Sequence, residues 1–567
     1  MHTSLDQALG RQPRLNRVGQ SLLNIASGAS AAYSLRSLTG DEPKAVRIRR
    51  DGDNEERDFT TAEIGTEAAD WTNGKQETAL PADVATSAAA YSLRKVKSDY
   101  TGPAVRIRRE FDDVEVNVSF DTNDGVSTSS PIEDTTEQGG ESGSTTATTL
   151  GEFISGTNAA VHTWYDQSGN SKNATEEVAA NQPLIVENGV LQTKLGKPAI
   201  NFTTGTTFLE NASLSITETN VSYFIVGQPA KDGATSTEAR NRTFFSFTND
   251  TTFIGTPNTN SQMSWKRFGS TNSFSLSSTN LNTTNLHSAI GTSSGANYYF
   301  NSSSIYSNSL TGSNSTRTGI RIGTKLFVTS HDLEGYFSEF IIYDSDQTNN
   351  RFKIESNINN HYTIYTAAQN GFVNTWYDQS GNSNDATVAA DTNEPKIVSA
   401  GSLILDDAGK PQIDFTSDPT FLAFTPVSFT NETIFVKSSS VLINAFSTVI
   451  SNADNRAVID QSTNDVQYNV TAGGFATISA SHANDDQVFT FMRDGTNVSV
   501  FQNGVAKGTS TTYANDSIQR SVIGRRGDTE GEYSGAMSEY ILYGSAQSAN
   551  RTAIETNIAN EYGITLS

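Results

Sequence analysis

The chain has 567 residues, too many for one hydrophobic core, and this length predicts roughly two to four domains. Hydrophobic residues make up 35% and charged residues 18%, a composition typical of short strands joined by polar turns rather than of a helical enzyme. With 39 Lys and Arg against 62 Asp and Glu, the formal charge of −23 excludes nucleic acid and anionic membranes as partners of the whole chain.

The cellular compartment is indicated by what the sequence lacks. There is no cysteine, which favours synthesis in a reducing cytoplasm. No apolar run approaches the roughly 20 residues that cross a bilayer, so we expect no membrane insertion. The first residues lack the apolar core of a signal peptide, and the chain is therefore expected not to be exported by that route.

Residues 1–28 form the first predicted element, an N-terminal arm. Apolar side chains such as Leu22 are interspersed there with Arg11, Arg14 and Arg17 on an otherwise acidic chain. We expect this amphipathic arm to dock into another protein of the same assembly. A frayed tail is the alternative that the sequence leaves open.

A short repeat comes next, beginning AAYSLR at Ala31 and again at Ala89. Each copy continues into a Val-Arg-Ile-Arg-Arg run, whose alternation predicts a half-buried strand. The arginines of 47–50 and 106–109 are expected to face the acidic residues behind them across a hairpin. We assign residues 29–87 to a first β preface, and we place the second preface and a polar linker at 121–150 in the domain that follows.

A longer repeat predicts two complete domains, at residues 88–365 and 366–567. The first copy reads VHTWYDQSGNS from Val161 and closes with GYFSEFIIY, and the second reads VNTWYDQSGNS from Val373 and closes with GAMSEYILY. Because Tyr365 precedes Trp376 by only a few residues, the second domain is expected to have no preface. The polar tract at 121–150 is expected to be an exposed loop.

A short helix is predicted after each closing strand, with Ser548 as the expected N-cap of the second helix. Apolar side chains recur there at every fourth residue, which places them on one helical face. These residues are Ile354, Ile358 and Tyr362 in the first copy, and Ile554, Ile558 and Tyr562 in the second.

The Trp-Tyr-Asp-Gln-Ser-Gly-Asn motif, together with the Ser-Glu-aromatic closing strand, resembles the concanavalin A-like, LamG-type jelly-roll superfamily. It is similar to the catalytic-domain fold of fungal α-L-arabinofuranosidase B and, with the preface, to phage tail and other virion proteins. The resemblance implies an all-β fold of two tandem concanavalin A-like jelly-roll β-sandwiches, each closed by a short C-terminal helix. An N-terminal arm and a duplicated β-hairpin preface complete it.

The motif residues are expected to be structural, with the aromatic pair packed in the sandwich and the aspartate capping the Gly-Asn turn. Because LamG folds often hold Ca²⁺, calcium binding by the two aspartates is the alternative; no other cofactor is expected and the metal is unknown. The motif residues are Trp164, Tyr165, Asp166 and Gln167, and Trp376, Tyr377, Asp378 and Gln379.

Glu339 and Glu539 occupy the same place in the two closing strands. A strand glutamate flanked by aromatics could contact a sugar hydroxyl or an ion. Pairing with an arginine of a neighbouring strand is the favoured interpretation.

A retaining glycosidase needs two carboxylates that face each other across the sugar. The candidates are Asp250 and Asp528, but the Gly-Gly-Asp segment implied by the resemblance reads Ile-Gly-Thr-Lys at 322–325, and Asp528 is displaced. Because neither domain keeps the pair, we expect the chain not to be an enzyme.

The sequence therefore favours a non-catalytic phage virion protein that is made in the host cytoplasm. It would be a tail fibre or adhesin, or a capsid fibre or decoration, that projects two lectin-like domains. The expected partners are other virion proteins, through the arm, a host-surface glycan, and further copies of the chain, for example in a trimer. A carbohydrate-binding protein outside a virion and an arabinofuranosidase-like glycoside hydrolase are the alternatives.

Overall fold

Contacts within the chain divide it into two compact units. The split unit comprises Met1–Asn73 and Ala367–Ser567, and the inserted unit comprises Gly74–Thr366. The sequence of the inserted unit thus interrupts that of the split unit. The structure, a computed structural model, describes residues 21–134, 145–202, 207–230, 242–247, 253–255, 262–267, 270–275, 278–309, 316–325, 332–416, 420–440, 446–452, 455–460, 465–471, 474–479, 485–510, 517–525 and 533–567.

In the part of the chain that the structure describes, four α-helices are single turns and three are longer. No helix in the described ranges is long and apolar enough to cross a membrane. They are α1 Leu22–Ile25, α2 Ile64–Thr72, α3 Pro81–Val84, α4 Leu150–Phe153, α5 Ser278–Leu281, α6 Arg351–Tyr362 and α7 Arg551–Tyr562.

The first strands belong to the split unit: β1 Ala29–Ser34, β2 Lys44–Arg50 and β3 Glu56–Thr60. The inserted unit follows with β4 Ala89–Ser92, β5 Val105–Arg109, β6 Glu115–Val118, β7 Ile132–Asp134, β8 Ala159–Trp164, β9 Ala174–Thr175, β10 Leu184–Glu187, β11 Val190–Leu191, β12 Thr193–Lys194, β13 Lys197–Pro198, β14 Ile200–Phe202, β15 Leu209–Thr217, β16 Val221–Gln228, β17 Thr243–Phe247, β18 Phe253–Gly255, β19 Gln262–Arg267, β20 Ser270–Ser275, β21 Asn285–Gly291, β22 Ala296–Phe300, β23 Ser303–Asn308, β24 Thr316–Ile322 and β25 Gly335–Tyr343.

The remaining strands complete the split unit. They are β26 Gly371–Trp376, β27 Ala386–Thr387, β28 Lys396–Ser399, β29 Ser402–Leu403, β30 Ile413–Asp414, β31 Leu422–Phe429, β32 Glu432–Ser440, β33 Phe446–Asn452, β34 Asn455–Asp460, β35 Asp465–Thr471, β36 Gly474–Ser479, β37 Asp486–Asp494, β38 Asn497–Gln502, β39 Val505–Ser510, β40 Ile518–Ile523 and β41 Gly535–Tyr543.

Both units are antiparallel sandwiches, so the prediction of an all-β sandwich fold is confirmed. In the split unit β32 lies between β37 and β41, and β41 pairs on its other side with β1. In the inserted unit β16 lies between β21 and β25, and β25 pairs with β4 in the same way. The two copies therefore share one strand arrangement.

The closing strand β41 has an apolar outer face, which explains why a helix packs against it. Successive residues of a strand point to opposite faces. Tyr540 and Leu542 enter the core between the sheets, whereas Ile541 and Tyr543 enter a second cluster on the outer face. The predicted helical residues Ile554, Ile558 and Tyr562 of α7 cover that outer face, and those of α6 do the same in the inserted unit.

The preface prediction needs correction. The second domain was expected to have no preface, but β1 pairs with β41 and β2 pairs with β26, so residues 29–60 are strands of the split unit. This division differs from the predicted ranges 29–87 and 366–567. The reason is physical: an exposed closing-strand edge would be left unpaired without β1.

Two local expectations also change. Ser548 is not the N-cap of α7, because the helix begins two residues later, with Asn550 as N-cap and without a side-chain cap. The tract at 121–150 is not all loop, since β7 pairs with β6 and Leu150 is buried at the start of α4. Residues 135–144 lie outside the described residues.

Candidate functional site

The motif aspartate of the inserted unit is the centre of a hydrogen-bonded turn. Oδ1 of Asp166 accepts from the backbone N–H groups of Ala90 (2.8 Å) and Ser168 (2.9 Å). Oδ2 accepts from Ser168 Oγ (2.7 Å) and from the N–H of Lys172 (2.9 Å). These four donors occupy both oxygens, and one of the donors belongs to the preface strand β4.

The split unit repeats this arrangement around Asp378. Its Oδ1 accepts from the N–H groups of Ala32 (2.8 Å) and Ser380 (2.9 Å). Its Oδ2 accepts from Ser380 Oγ (2.7 Å) and the N–H of Asn384 (3.1 Å). The aspartate therefore holds β1 against the motif turn, and its oxygens are engaged by the protein itself.

The motif glutamines and asparagines add further hydrogen bonds to the same preface strands. Nε2 of Gln379 donates to the carbonyl oxygens of Ser34 (2.9 Å) and Arg36 (3.0 Å), and Gln167 makes the equivalent bonds in the inserted unit. Asn382 donates to the Ser30 carbonyl at 3.2 Å. Each motif is thus hydrogen-bonded to the preface strand that lies beside it.

The motif aromatics lie where the sandwich needs apolar volume. Trp164 and Trp376 are fully buried in the two cores. The hydroxyl of Tyr165 donates to Asn117 Oδ1 at 2.7 Å, and that of Tyr377 donates to Asp58 Oδ1 at 2.6 Å. These side chains form the scaffold around the motif turn.

The two closing-strand glutamates are fully buried and paired. Glu339 accepts from Arg94 Nε at 2.7 Å, and Glu539 accepts from Arg36 Nε at 2.9 Å. The guanidinium of Arg94 also donates to Asn357 Oδ1 at 2.9 Å. Both carboxylates are enclosed by their own unit and offer no surface to a sugar or an ion.

The arginine rows pair with nearby acids, as predicted. Arg47 Nε lies 2.7 Å from Asp58 Oδ1, and Arg109 lies 2.7 Å from Asp112. The hydrogen bond from Arg47 holds the pKa of Asp58 well below its usual range. Arg49 bonds instead to Glu394 at 2.7 Å, a partner on the other side of the motif strand.

The predicted calcium site finds no support in the geometry. Within the described ranges, no three His, Asp or Glu side chains lie close enough together to hold a metal ion. The oxygens of Asp166 and Asp378 face N–H and O–H donors, which a cation would repel.

The arm residues Arg11, Arg14 and Arg17 lie outside the described residues. Leu22 is described, and it does not belong to a partner-binding arm. Its side chain is fully buried in the cluster beneath α7, where Tyr543 donates from its hydroxyl to the Ala26 carbonyl at 2.8 Å. Apolar burial thus ties this end of the arm to the split unit's own core.

A surface cleft of about 430 Å³ lies beside the motif turn of the split unit. Ser30 of β1 forms one wall and β31 forms the other. Four hydroxyl groups line it, those of Ser30, Ser383, Thr425 and Ser428, and none has a hydrogen-bond partner among the described residues. The lining residues are Ser30, Asn382, Ser383, Asn384, Thr425, Val427, Ser428 and Phe429.

Phe429 gives this cleft an aromatic, half-buried wall. Its ring packs over the backbone of Gly544, where a Cβ atom would lie 2.5 Å from the ring carbons. Asn384 is fixed across from it, because its amide donates to the Thr425 carbonyl at 3.1 Å and accepts from the Thr425 N–H at 2.8 Å. The cleft therefore combines a fixed ring with a fixed polar wall.

The inserted unit has different side chains at the corresponding positions. Ala88 replaces Ser30, Ile216 replaces Phe429 and Asp344 replaces Gly544. Lys172 stands where Asn384 does, and its Nζ donates to the Ser213 carbonyl at 2.9 Å. The sequence prediction missed the cleft residues, although these differences beside two identical motifs were a signal that could have found them.

A buried acid in the inserted unit was also missed. Asp332 accepts from Thr324 Oγ1 at 2.5 Å, and Arg242 donates to the Asp332 carbonyl and pairs with Glu334. Burial raises the pKa of Asp332. Asp250 and Asp528, the predicted catalytic candidates, lie outside the described residues.

No protein-family model matches the chain, and neither does any curated protein. Among solved structures, it is similar to a GH54 α-L-arabinofuranosidase soaked with a cyclic sulfate inhibitor, at 14% identity and a TM-score of 0.33, over 77% of this chain and 95% of that one. It is also similar to a heptameric pentraxin from Limulus polyphemus, at 18% identity and a TM-score of 0.22, over 26% and 80% of the two chains.

A third similar structure is the sialidase CBM40 of Ruminococcus gnavus bound to sialyllactose, at 16% identity and a TM-score of 0.19, over 22% of this chain and 82% of that one. At these identities the comparisons concern the fold alone, that of a β-sandwich. The expectation that the chain is not an enzyme is contradicted, since GH54 arabinofuranosidases are among the structures to which it is similar.

Proposed function

We propose that the chain binds carbohydrate, and that the cleft beside the motif turn of the split unit is its binding site. The observation that carries this proposal is the half-buried ring of Phe429 beside four hydroxyls that have no hydrogen-bond partner among the described residues. Ligand sites combine an apolar wall with a few polar groups that fix orientation. A sugar ring has an apolar face and a polar edge, and this wall matches both.

The chemistry of the lining residues favours a neutral sugar. Each residue that lines the cleft is uncharged, and the chain as a whole carries a formal charge of −23. An anionic sugar would find no cation in the cleft and would be repelled by the surrounding field. A cleft of about 430 Å³ has room for one or two sugar rings.

The finer proposal is that this binding attaches a phage virion to its host. Its support is the sequence resemblance to LamG-type and virion proteins, together with the absence of cysteine. In this proposal the segment around Arg11, Arg14 and Arg17 docks into another virion protein, and copies of the chain associate, for example as a trimer. Antibody labelling of purified particles and light scattering of the purified chain test these two points.

A neutral-glycan array followed by isothermal titration of the full chain tests the binding. We expect Phe429→Ala to weaken the titrated affinity about tenfold or more, a loss of about 1.4 kcal/mol, because the ring wall is removed. The matched control is Phe111→Ala, which removes an exposed ring of the inserted unit (71% exposed) and is expected to bind as the unchanged chain does.

Three outcomes contradict the proposal: no binder on the array, an unchanged affinity of Phe429→Ala, or an equal loss in both variants. The same titration samples are followed for released sugar. Released sugar would show that the chain hydrolyses the glycan as well as binding it. Release that persists in Phe429→Ala would locate the hydrolytic site elsewhere.

A further inference from the structure

A lysine is fully buried in the split unit between two carboxylates. Nζ of Lys437, on β32, lies 2.8 Å from Oδ2 of Asp406 and 2.7 Å from Oδ1 of Asp486. Both aspartate side chains are buried as well, and the Tyr562 ring lies 5.1 Å from the lysine nitrogen. Three ionisable groups therefore meet in a largely enclosed site, in which 8% of the Asp486 side chain remains exposed.

The two aspartates are held differently. Oδ1 of Asp406 accepts from the backbone N–H groups of Ala408 (3.0 Å) and Lys410 (2.7 Å). These donors polarise the carboxyl group and would stabilise negative charge on that oxygen, as the donors of an oxyanion hole do. Oδ1 of Asp486 accepts from the Ser439 hydroxyl and lies beside the lysine, whereas Oδ2 accepts from the N–H of Asp407 at 3.0 Å.

The corresponding positions of the inserted unit lack all three groups. Backbone pairing places Val226 opposite Glu339 as Lys437 lies opposite Glu539. Lys194 pairs with Lys197 in the hairpin where Asp406 bonds to Lys410. Thr284 precedes β21 at the place of Asp486 in β37. The sandwich of the inserted unit therefore folds without this cluster.

We propose that Lys437 and Asp406 form an intramolecular amide bond. Asp486 takes a proton from the Lys437 ammonium and passes it to Oδ2 of Asp406. The neutral Nζ attacks Cγ of Asp406, the Nζ–Cγ bond forms, and the Cγ–Oδ2 bond breaks. Oδ2 leaves with the two protons that nitrogen has lost, as one water molecule, and Asp486 returns to its starting charge.

The site supplies the requirements of this reaction. The reacting groups are held in contact, which replaces a bimolecular encounter by an intramolecular step. The reaction removes one ammonium and one carboxylate from an interior where isolated charges are costly. It needs no further reactant. The bond ties the hairpin around Asp406 to β32 and closes a covalent loop over residues 406–437.

Intact-mass spectrometry and peptide mapping of the purified full chain test the proposal. We expect a mass lower than that of the sequence by one water molecule. Because Pro411 follows Lys410, trypsin leaves Asp406 and Lys437 in one peptide. The linked form is expected as that peptide short of one water molecule and not cleaved after Lys437. The Lys437→Arg variant keeps the positive charge but cannot form the amide, so it is expected at its full sequence mass. Asp486→Asn keeps the shape, removes the proton acceptor, and is expected to remain unlinked.

A wild-type chain at full mass with a linear Lys437 peptide overturns the proposal, and this measurement does not depend on whether any variant folds. A missing water that persists in Lys437→Arg also overturns it, because the loss then arises elsewhere. Complete linkage in Asp486→Asn overturns the role of Asp486 as the proton carrier.

Discussion

Asp378 accepts a 2.8 Å hydrogen bond from the backbone N–H of Ala32, a residue 346 positions earlier in the chain. The equivalent bond of the inserted unit joins Asp166 and Ala90, which are only 76 positions apart. The same motif therefore makes the same hydrogen bond to a preface strand in both units, although the two bonds join residues at very different distances along the chain. The split unit is complete only when the two ends of the chain have met.

The Asp378→Ala substitution is expected to destabilise the split unit by about 2–4 kcal/mol. It leaves the Ala32 N–H and the donors of the motif turn without their acceptor. Urea unfolding followed by limited proteolysis of residues 21–60 measures the effect. Ser380→Ala, which removes one of the four donors, is the matched control. An equal loss of stability in the two variants would contradict the claim that Asp378 holds β1 against the motif turn.

The Arg36→Met substitution should cost about 3 kcal/mol of unfolding free energy, because it leaves the buried carboxylate of Glu539 without its cation. Arg57→Met provides the comparison. Its partner Glu67 is partly exposed, and the loss should remain below about 1 kcal/mol. Similar losses from equilibrium unfolding of both variants would show that burial of the Arg36 pair is unimportant.

Stability of the inserted unit should fall as the pH decreases below about 6.5. Burial lowers the pKa of His287 from 6.5 to about 3. Between these values the unfolded chain binds the proton and the folded chain does not, so acid favours unfolding. The slope from this residue is at most about 1.4 kcal/mol per pH unit.

His287→Phe should remove that contribution, because a phenyl ring does not titrate. Urea unfolding of both chains at several pH values checks this. The free energies should converge as the pH falls from 6.5, after allowance for the constant loss of the hydrogen bond to Tyr298 (2.7 Å). Parallel pH profiles would contradict the assignment.

The Asn384→Lys substitution should close the cleft and lower glycan affinity about tenfold or more, as measured by titration. The fold is expected to tolerate it, because Lys172 occupies this position in the inserted unit and reaches the Ser213 carbonyl at 2.9 Å. The reciprocal change, Lys172→Asn, is the control and should leave the affinity unchanged. A full loss of binding in the control would move the site to the inserted unit.

Gly544→Ala tests the orientation of the Phe429 ring without removing any lining side chain. The new Cβ atom would lie 2.5 Å from two ring carbons, so the ring must move. We expect weaker glycan binding at nearly unchanged stability. Unchanged titrations would mean that the position of the ring does not matter for binding.

The sandwich and its closing helices could be predicted from the sequence because their signals are local. Strand alternation and the spacing of Ile554 and Ile558 are visible within a few residues. The unit to which the first preface belongs could not be predicted in this way. Ala31 and Ala89 begin near-identical segments and the two motifs are identical, so the pairing of β1 with β41 depends on the whole fold.

The candidate site was harder to predict for a related reason. Ser30, Asn384 and Phe429 differ from the residues at the corresponding positions of the inserted unit, and the sequence shows this. Only the fold, however, brings these three residues to one cleft. Conversely, the motif residue Asp378 stood out because it is repeated. Its repetition reflects a structural bond to a preface strand that both units need.

A crystal structure of the full chain with a neutral glycan selected on the array tests the central claim most directly. The account predicts a sugar ring stacked on Phe429, with its hydroxyls bonded to Ser30, Ser383 or Thr425. A glycan bound in the inserted unit, or elsewhere on the split unit with this cleft empty, would contradict it.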